Sequence, residues 1–410
     1  MGVMLGNVGF LLGFEFIEIL RIGSVLFDIT SLTLTGIPIV EATHSLLDPV
    51  SAENLIAILR SPTGPVLTQV AQAVDIFSRY GVIFLLFIVG LDTSIKEMRQ
   101  VGYDSMRVAL IGVFFPFTLG FLVVWFLMPE LSLNVDLFVA ATLGATSIGI
   151  SARVLEELNL THSVEGRVII GAAVFDDILG LILLAVISGI IVSGGVEVSN
   201  VLSIVLLSLL FLLLAFGMGP IFLKFTISLV QRMDEGEAKL FISFLFVMTL
   251  AWLANAVGLA TIIGAFAAGV ILHDGYFSHW KDASKHVHIK DLISPLETIL
   301  VPIFFVLMGI QVKLETFFNT EVIYLTSGLL IAAIIGKIAS GAGMHGKGNR
   351  LAVGYGMMPR GEVGLIFASI GKGLDVINDA IFASIVLMVI ITSLLAPPLL
   401  RKTLLKTSVH

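Results

Sequence analysis

The sequence predicts an all-α polytopic membrane protein built on inverted repeats. Three observations predict it: the composition, the long apolar runs, and two sequence echoes in opposite orientation. Of the 410 residues, 57% are hydrophobic and 13% charged, with a mean hydropathy of +1.06; soluble proteins carry about 25% charged residues. Runs long enough to cross about 30 Å of hydrocarbon fall near 68–91, 105–128, 134–158, 164–193, 200–225, 237–256, 291–311, 320–343, 350–373 and 377–401. The run 259–273 is shorter but bounded like a span, which makes eleven. A further apolar stretch starts at Met1, ends near Leu12 and reads as a first span cut on its N-terminal side (1–14). Phe84-Leu85-Leu86-Phe87-Ile88-Val89-Gly90-Leu91 echoes Ile303-Phe304-Phe305-Val306-Leu307-Met308-Gly309-Ile310, and Gly2-Val3-Met4-Leu5 echoes Gly269-Val270-Ile271-Leu272. Each echo lies seven spans from its partner. Seven is odd, so the halves run in opposite directions, an arrangement that places a site near mid-membrane.

The connections follow in order. Residues 15–66 carry Glu15, Glu18, Asp28, Glu41, Asp48 and Glu53 and the turn Ser61-Pro62-Thr63-Gly64-Pro65, and read as an extramembrane loop. Within it, Asp48-Pro49-Val50-Ser51 reads as a cap before a short amphipathic helix over Ala52–Leu59, lying on the surface. The other long connections are 226–239 and 274–290. By alternation, one side collects sixteen Lys and Arg, among them Lys96, Arg99, Arg232, Lys281, Lys285 and Lys347. The other has only Arg21, Arg60, Arg79, Lys313 and Lys372. The positive-inside rule makes the first side and the C-terminal tail (402–410) cytoplasmic, and 15–66 extracytoplasmic. Lys337 and Arg360 remain at membrane depth.

Several function classes are excluded on composition. Without cysteine there is no disulfide, thiolate zinc site or iron–sulfur cluster. No basic cluster with interleaved aromatics points to nucleic acid. No nucleophile–base set or metalloprotease spacing appears at membrane depth, so the chain does not read as an enzyme. The net charge of -7 says little about partners, and no cleavable signal peptide is visible.

The chemistry sits in a few polar residues inside oily spans. Asp176 and Asp177 are adjacent in Gly171–Gly180. Each carboxylate at that depth costs roughly 2.5–3.5 kcal/mol on insertion scales, and adjacent acids resist joint ionisation. Such a pair suits protons, a cation, or both in turn; the plain alternative is a structural pair satisfied by backbone donors. Neighbours on a helix point about 100° apart, so one should face an ion path and the other a partner. Lys337 is too deep to snorkel easily; its natural partner is one of the aspartates, and the alternative is another buried acid. Leu143–Ser151 puts two glycines and three hydroxyls, Thr146, Ser147 and Ser151, in mid-span. That predicts either close helix packing or an unwound segment whose carbonyls hold ions. The repeat equivalent, Gly356–Gly364, is interrupted by Pro359 and carries Arg360 and Glu362. Two interruptions at matching positions favour the unwound reading. Arg360 and Glu362 would face different sides of a regular helix and read as support for the crossing.

Together these residues resemble the monovalent cation:proton antiporter-2 family, the Nap-type and Kef-type sodium/proton antiporters. The resemblance rests on Phe87-Ile88-Val89-Gly90-Leu91-Asp92, Ala145–Leu155, Phe175-Asp176-Asp177, Gly336-Lys337 and Pro359-Arg360-Gly361-Glu362-Val363-Gly364-Leu365-Ile366. It implies an inverted-repeat antiporter fold with two crossing discontinuous helices. It implies first-repeat spans over 67–133, core helices over 134–193 and 320–401, and a panel with linking spans over 194–319. The core would move against a panel that forms a homodimer in the lipid. The resemblance makes Asp177 the cation- and proton-binding carboxylate, pairs Asp176 with Lys337 when no cation is bound, and sets Thr146 and Ser147 beside the ion. The Asp-Asp form with a lysine implies electrogenic exchange. Sodium is the expected ion and lithium an alternative; no cofactor is implied beyond the transported cation and proton. The expected setting is a bacterial or archaeal inner membrane, with an organelle membrane as the alternative. The chain departs from the family where Met1 falls inside the expected second span, and in the length of 15–66. No nucleotide-sensing domain follows His410, which is unlike the gated Kef type. The rival readings are a potassium/proton antiporter or potassium efflux protein of the same fold, and a cation channel. A bile-acid-type symporter leaves Lys337 unexplained.

Overall fold

The computed structural model describes residues 1–410 except 24, 36, 48, 93–101, 194–197, 231–232, 278–286, 346–347 and 408–410. Lys96, Arg99, Arg232, Lys281, Lys285 and Lys347, and the expected cap residue Asp48, lie outside the described residues. Within them the chain is all-helical, as hydrocarbon demands of a backbone that must satisfy its own hydrogen bonds. The helices are α1 Gly2–Leu11, α2 Glu15–Ile22, α3 Val25–Leu34, α4 Ile39–Leu46, α5 Pro49–Arg60, α6 Gly64–Asp92, α7 Tyr103–Leu127, α8 Leu133–Thr142 and α9 Ile148–Glu157. There follow α10 Val164–Ser193, α11 Val198–Leu229, α12 Glu235–Ala256, α13 Thr261–Ile271, α14 Ile289–Ile310, α15 Thr320–Ser340, α16 Arg350–Gly356, α17 Gly361–Gly373 and α18 Asp379–Thr407.

Eight of these are long and apolar enough to cross a membrane, among the described residues. The other three expected runs are built differently. The run 259–273 is the short α13, while 134–158 and 350–373 are each split, into α8 and α9 and into α16 and α17. Residues 15–66 are not the loop with one surface helix that their acidic residues suggest. They fold into four short helices, α2 to α5, with Ile19, Ile29, Ala42 and Leu55 buried. The hydrophobic residues between the acids are what the sequence reading underweighted; they give α2 and α4 one apolar face each.

The helices form two groups. In one, α6 packs on α13 and α14, α14 on α1, and α12 on α13; in the other, α7 packs on α15, α10 and α8, and α18 on α15, α16 and α17. The first group shows the inverted repeat directly. A Cβ on Gly2 would lie 2.3 Å from Val306 O, and one on Gly269 would lie 2.1 Å from Phe87 O. Gly309 faces the Gly2 Cα, and Gly90 faces the Gly269 Cα. So α1 crosses α14 as α13 crosses α6, through the same glycines that carry the echo. Only glycine lets two backbones approach that closely.

The groups share apolar packing at one end, and α11 touches both, lying on α10 of the second and on α12 and α13 of the first. At the shared end a single apolar cluster joins Leu20, Phe304 and Leu307 of the first group to Phe138, Ile366 and Ile381 of the second. At the other end the clusters are separate among the described residues. One contains first-group residues, such as Phe84, Phe246 and Ile293, with Ala215, Leu223 and Ile227 of α11, and the other only second-group residues, such as Val108, Leu155 and Leu404. That split end is the end of the basic connections. Lys290 bridges to Asp92 at 2.7 Å there, and Arg107 meets His345 at 3.1 Å.

Candidate functional site: two helix breaks that cross

Each break begins where the sequence cannot sustain a helix. The first runs from Leu143 to Ser147, through Gly144 and two hydroxyl residues that compete for backbone bonds. The second runs from Met357 to Arg360, where Pro359 lacks an N–H and restrains the residue before it. The two meet backbone to backbone: Ser147 N–H donates to Pro359 O at 2.9 Å. Gly361 then turns at φ +29°, and a Cβ there would sit 2.5 Å from Ser147 Oγ. Glycine is required at that position on both counts.

A broken helix leaves its last carbonyls unpaired. Four carbonyls at the breaks accept hydrogen bonds from side chains. Lys337 Nζ donates to Gly144 O at 2.7 Å, and Arg360 Nη1 donates to Ala145 O. Ser151 Oγ donates to Gly356 O at 2.6 Å and Thr146 Oγ1 to Met357 O at 3.2 Å. The crossing is therefore tied together by its own polar groups.

Arg360 and Glu362 do not diverge as residues of a regular helix would. Arg360 precedes α17, and the turn at Gly361 lets both side chains reach the first break. Arg360 binds its carbonyl end, while Glu362 Oε2 accepts from Ser147 Oγ at 2.5 Å. Ser393 of α18, which the sequence reading passed over, accepts the Gly361 N–H at 3.2 Å. The only signal for it was a Thr-Ser pair inside an apolar span.

The two aspartates part as the helical angle requires. Asp176 Oδ1 accepts from Lys337 Nζ at 2.9 Å, and both side chains are fully buried. Gly112 of α7 makes the room: a Cβ there would stand 3.5 Å from Lys337 Nζ and 3.7 Å from Asp176 Oδ1. Asp176 Oδ2 and Arg360 Nε and Nη2 have no protein partner. Asp177, on the next face, is half-buried, and the charged groups acting on it are Asp176, Glu362 and Lys337. In this arrangement Asp177 and Glu362 are the half-buried oxygen donors, and oxygen ligands suit hard cations. Gly149, in the first turn of α9, is exposed, and a Cβ on it would meet nothing within 4 Å. By contrast, α8 is buried from Val135 to Thr142 except at Leu137. The first break is thus exposed on its α9 side, toward the split, basic end, and buried on its α8 side, toward the end where the shared cluster seals the groups together.

Comparison with known proteins shows the family and the fold. The family model described as "Sodium/hydrogen exchanger, transmembrane" matches residues 29–406. The chain belongs to the sodium/hydrogen exchanger family. It is 37% identical to the "High-affinity Na(+)/H(+) antiporter NhaS3" of a Synechocystis species, over 82% of this chain and 72% of that protein. It is 30% identical to a "Na(+)/H(+) antiporter" of Enterococcus hirae, over 79% and 83%. It is also 30% identical to the "Na(+)/H(+)-K(+) antiporter GerN" of Bacillus cereus, over 80% and 82%. The fold matches the sodium proton antiporter MjNhaP1 of Methanocaldococcus jannaschii at pH 8, with a TM-score of 0.57 and 18% identity over 98% of this chain and 97% of that one.

Proposed function

We propose that this exchanger moves sodium out against protons, electrogenically and by alternating access, with Asp177 as the carboxylate that holds either a cation or a proton. The observation that carries the reading is the fully buried Lys337–Asp176 pair beside a half-buried Asp177. A buried charge pair stands only while both partners remain. A cation entering at Asp177 weakens the hold of Asp176 on Lys337, and the lysine then sheds its proton. Asp177 sheds the other. Two protons exchange for one monovalent cation, so one net charge crosses per cycle, worth about 2.3 kcal/mol at 100 mV. Thr146, Ser147, Arg360 and Glu362 keep the crossing in register while this happens. Sodium/proton exchange as the activity is supported by the printed names of the relatives.

In this reading the helices around the crossing, 134–193 and 320–401, move against a panel that pairs with a second copy of the chain. The basic end, where the groups are split, faces the cytoplasm of a bacterial or archaeal cell by the positive-inside rule. The test is proton movement in proteoliposomes driven in turn by sodium, lithium and potassium. Asp177→Asn should leave a folded protein with no exchange; exchange retained in that variant refutes the assignment. Lys337→Gln should lose its transport-linked membrane potential. An unchanged potential removes the lysine as proton carrier and leaves the Asp177 site standing. A response to potassium equal to that for sodium replaces the proposed ion, a reading the Bacillus cereus relative's name favours.

A further inference from the structure

At the sealed end, away from the crossing, three charged side chains join across the boundary between the two helix groups. Lys372 lies in the last turn of α17, and Asp379 opens α18. Their ion pair, at 2.8 Å, is internal to the group that carries the crossing. Lys313 comes from the other side, just after α14, and meets the second oxygen of Asp379 at 2.5 Å.

The backbone around Lys313 is fastened to the panel. Asn7 Nδ2 donates to Val312 O at 2.8 Å, and Leu314 N–H donates back to Asn7 Oδ1 at 3.0 Å. Arg21 of α2, buried under the ring of Phe10, pairs with Glu315. Val312, Leu314 and Glu315 are therefore fastened to α1 and α2, while the turn Leu314–Phe318 also packs on α15 and α18 of the other group. We infer that the Lys313–Asp379 bridge is the latch that holds the sealed end shut, and that it breaks each time the transporter opens there.

The placement of the partners supports that role. Asp379 has one cation that travels with it, Lys372, and one that does not, Lys313. When the groups part, Asp379 keeps Lys372, so no buried carboxylate is left unpaired, the outcome that makes breaking a buried pair costly. Lys372 is further held over the Phe382 ring, 4.8 Å from its centroid. Lys313 is about one-fifth exposed and gains water on release. Leu307, Ile377 and Ile381, which belong to the shared apolar cluster, lie in the same helices or next to these charges in sequence. The latch thus sits where the two groups touch. The opposite end, which is split, has no bridge between the groups among the described ion pairs: Lys290–Asp92 and Lys239–Asp274 both stay within the panel.

This inference rests on the alternating-access reading above, and its test separates the two. The chain has no cysteine, so a Lys313→Cys, Asp379→Cys double variant carries the only two thiols. A short reducible thiol cross-linker should stop sodium/proton exchange in proteoliposomes, and reductant should restore it to the rate of the unlinked variant. The reduced protein is its own control for folding. A second measurement uses Lys313→Gln. Losing the latch favours the state open at the sealed end. The apparent sodium affinity should weaken on the basic side and tighten on the other, by about tenfold or less on each, and Lys313→Arg should restore both. Exchange at an undiminished rate in the cross-linked protein overturns the latch. So does a change in affinity that is equal and of one sign on both sides. If the wild-type protein shows no cation-driven proton movement, the transport reading fails instead.

Discussion

The two helix breaks occupy equivalent places in the inverted repeats, yet they are chemically unequal. The first, Leu143–Ser147, offers acceptors and hydroxyls: the carbonyls of Gly144 and Ala145, and Thr146 and Ser147. The second, Met357–Arg360, is followed by a carboxylate and contains a cation that reaches back to the first. Repeat symmetry fixes where the chain unwinds; it does not fix what the unwound chain presents. The second break holds the first together, and α10 brings Asp176 and Asp177 beside them.

The sharpest way to break that comparison is to remove the cation. Arg360→Ala strands the buried Ala145 carbonyl and empties the space of a large, fully buried side chain. It should cost about 3 kcal/mol, from the unpaired buried acceptor and the cavity left, seen as a fall in thermal stability in detergent. Thr146→Ala at the first break removes one neutral hydrogen bond and should cost about 1 kcal/mol. Equal losses from the two would show that the breaks are energetic equals.

The aspartates sharpen the contrast next. Asp176→Asn leaves Lys337 buried without its counter-ion and should lose about 3 kcal/mol. Asp177→Asn removes a half-buried charge beside two other acids, and should leave unfolding near or above the wild-type temperature while abolishing exchange. Thermal unfolding and proton flux measured on the same preparations decide this; destabilisation by Asp177→Asn would place that residue in the scaffold.

A smaller effect is expected at Ser147. Ser147→Ala deletes its bond to Glu362, worth about 1.5 kcal/mol at the low end for a bond to a charged group, and should lower exchange without stopping it. The smallest lies outside the membrane, at Asp274. Burial raises its pKa, but the His288 side chain, the Ile289 N–H and the Lys239 ammonium outweigh that and hold it below the ordinary value. A depressed carboxylate pKa stabilises the fold above the unfolded-state pKa, near 3.9. That stability is lost as pH falls through the lower folded value. Asp274→Asn should therefore cost less than about 1 kcal/mol at neutral pH, since the group is partly exposed, with the gap to wild type closing below about pH 4. A gap that widens in acid would contradict this sign.

Much of this was legible in the sequence because lipid simplifies the code. An apolar run has little choice but to be a helix, so the expected spans reappear as helices or as halves of broken ones. Pro359, and the glycines and hydroxyls of 143–151, marked the breaks because few residues interrupt an otherwise uniform apolar pattern. That Lys337 pairs with one of the two aspartates followed from the cost of burying either charge alone; that the partner is Asp176 was implied by the family resemblance. What was not legible depended on distance in three dimensions. Nothing in Ser151 or Ser393 says which carbonyl or N–H it will meet across two spans. The convergence of Arg360 and Glu362 needed the positive φ of Gly361, which a helical wheel cannot represent. Residues 15–66 misled because their acids suggest water, whereas Ile19, Leu20 and Leu55 supply buried faces at helical spacing.

The glycine crossings of α1 on α14 and α13 on α6 carry a mechanical consequence. Where backbones touch, no side chain lies between them to rotate or slide, so each crossing behaves as a riveted joint rather than a bearing. Two such joints, related by the repeat, brace the panel. A transporter that works by rocking needs a frame stiffer than the part that rocks, and here the stiffness comes from the smallest residue in the chain. Widening one joint by a single methyl at Gly90 would spread α6 from α13 and soften the frame itself, so that strain meant for the moving helices would be absorbed where it does no work.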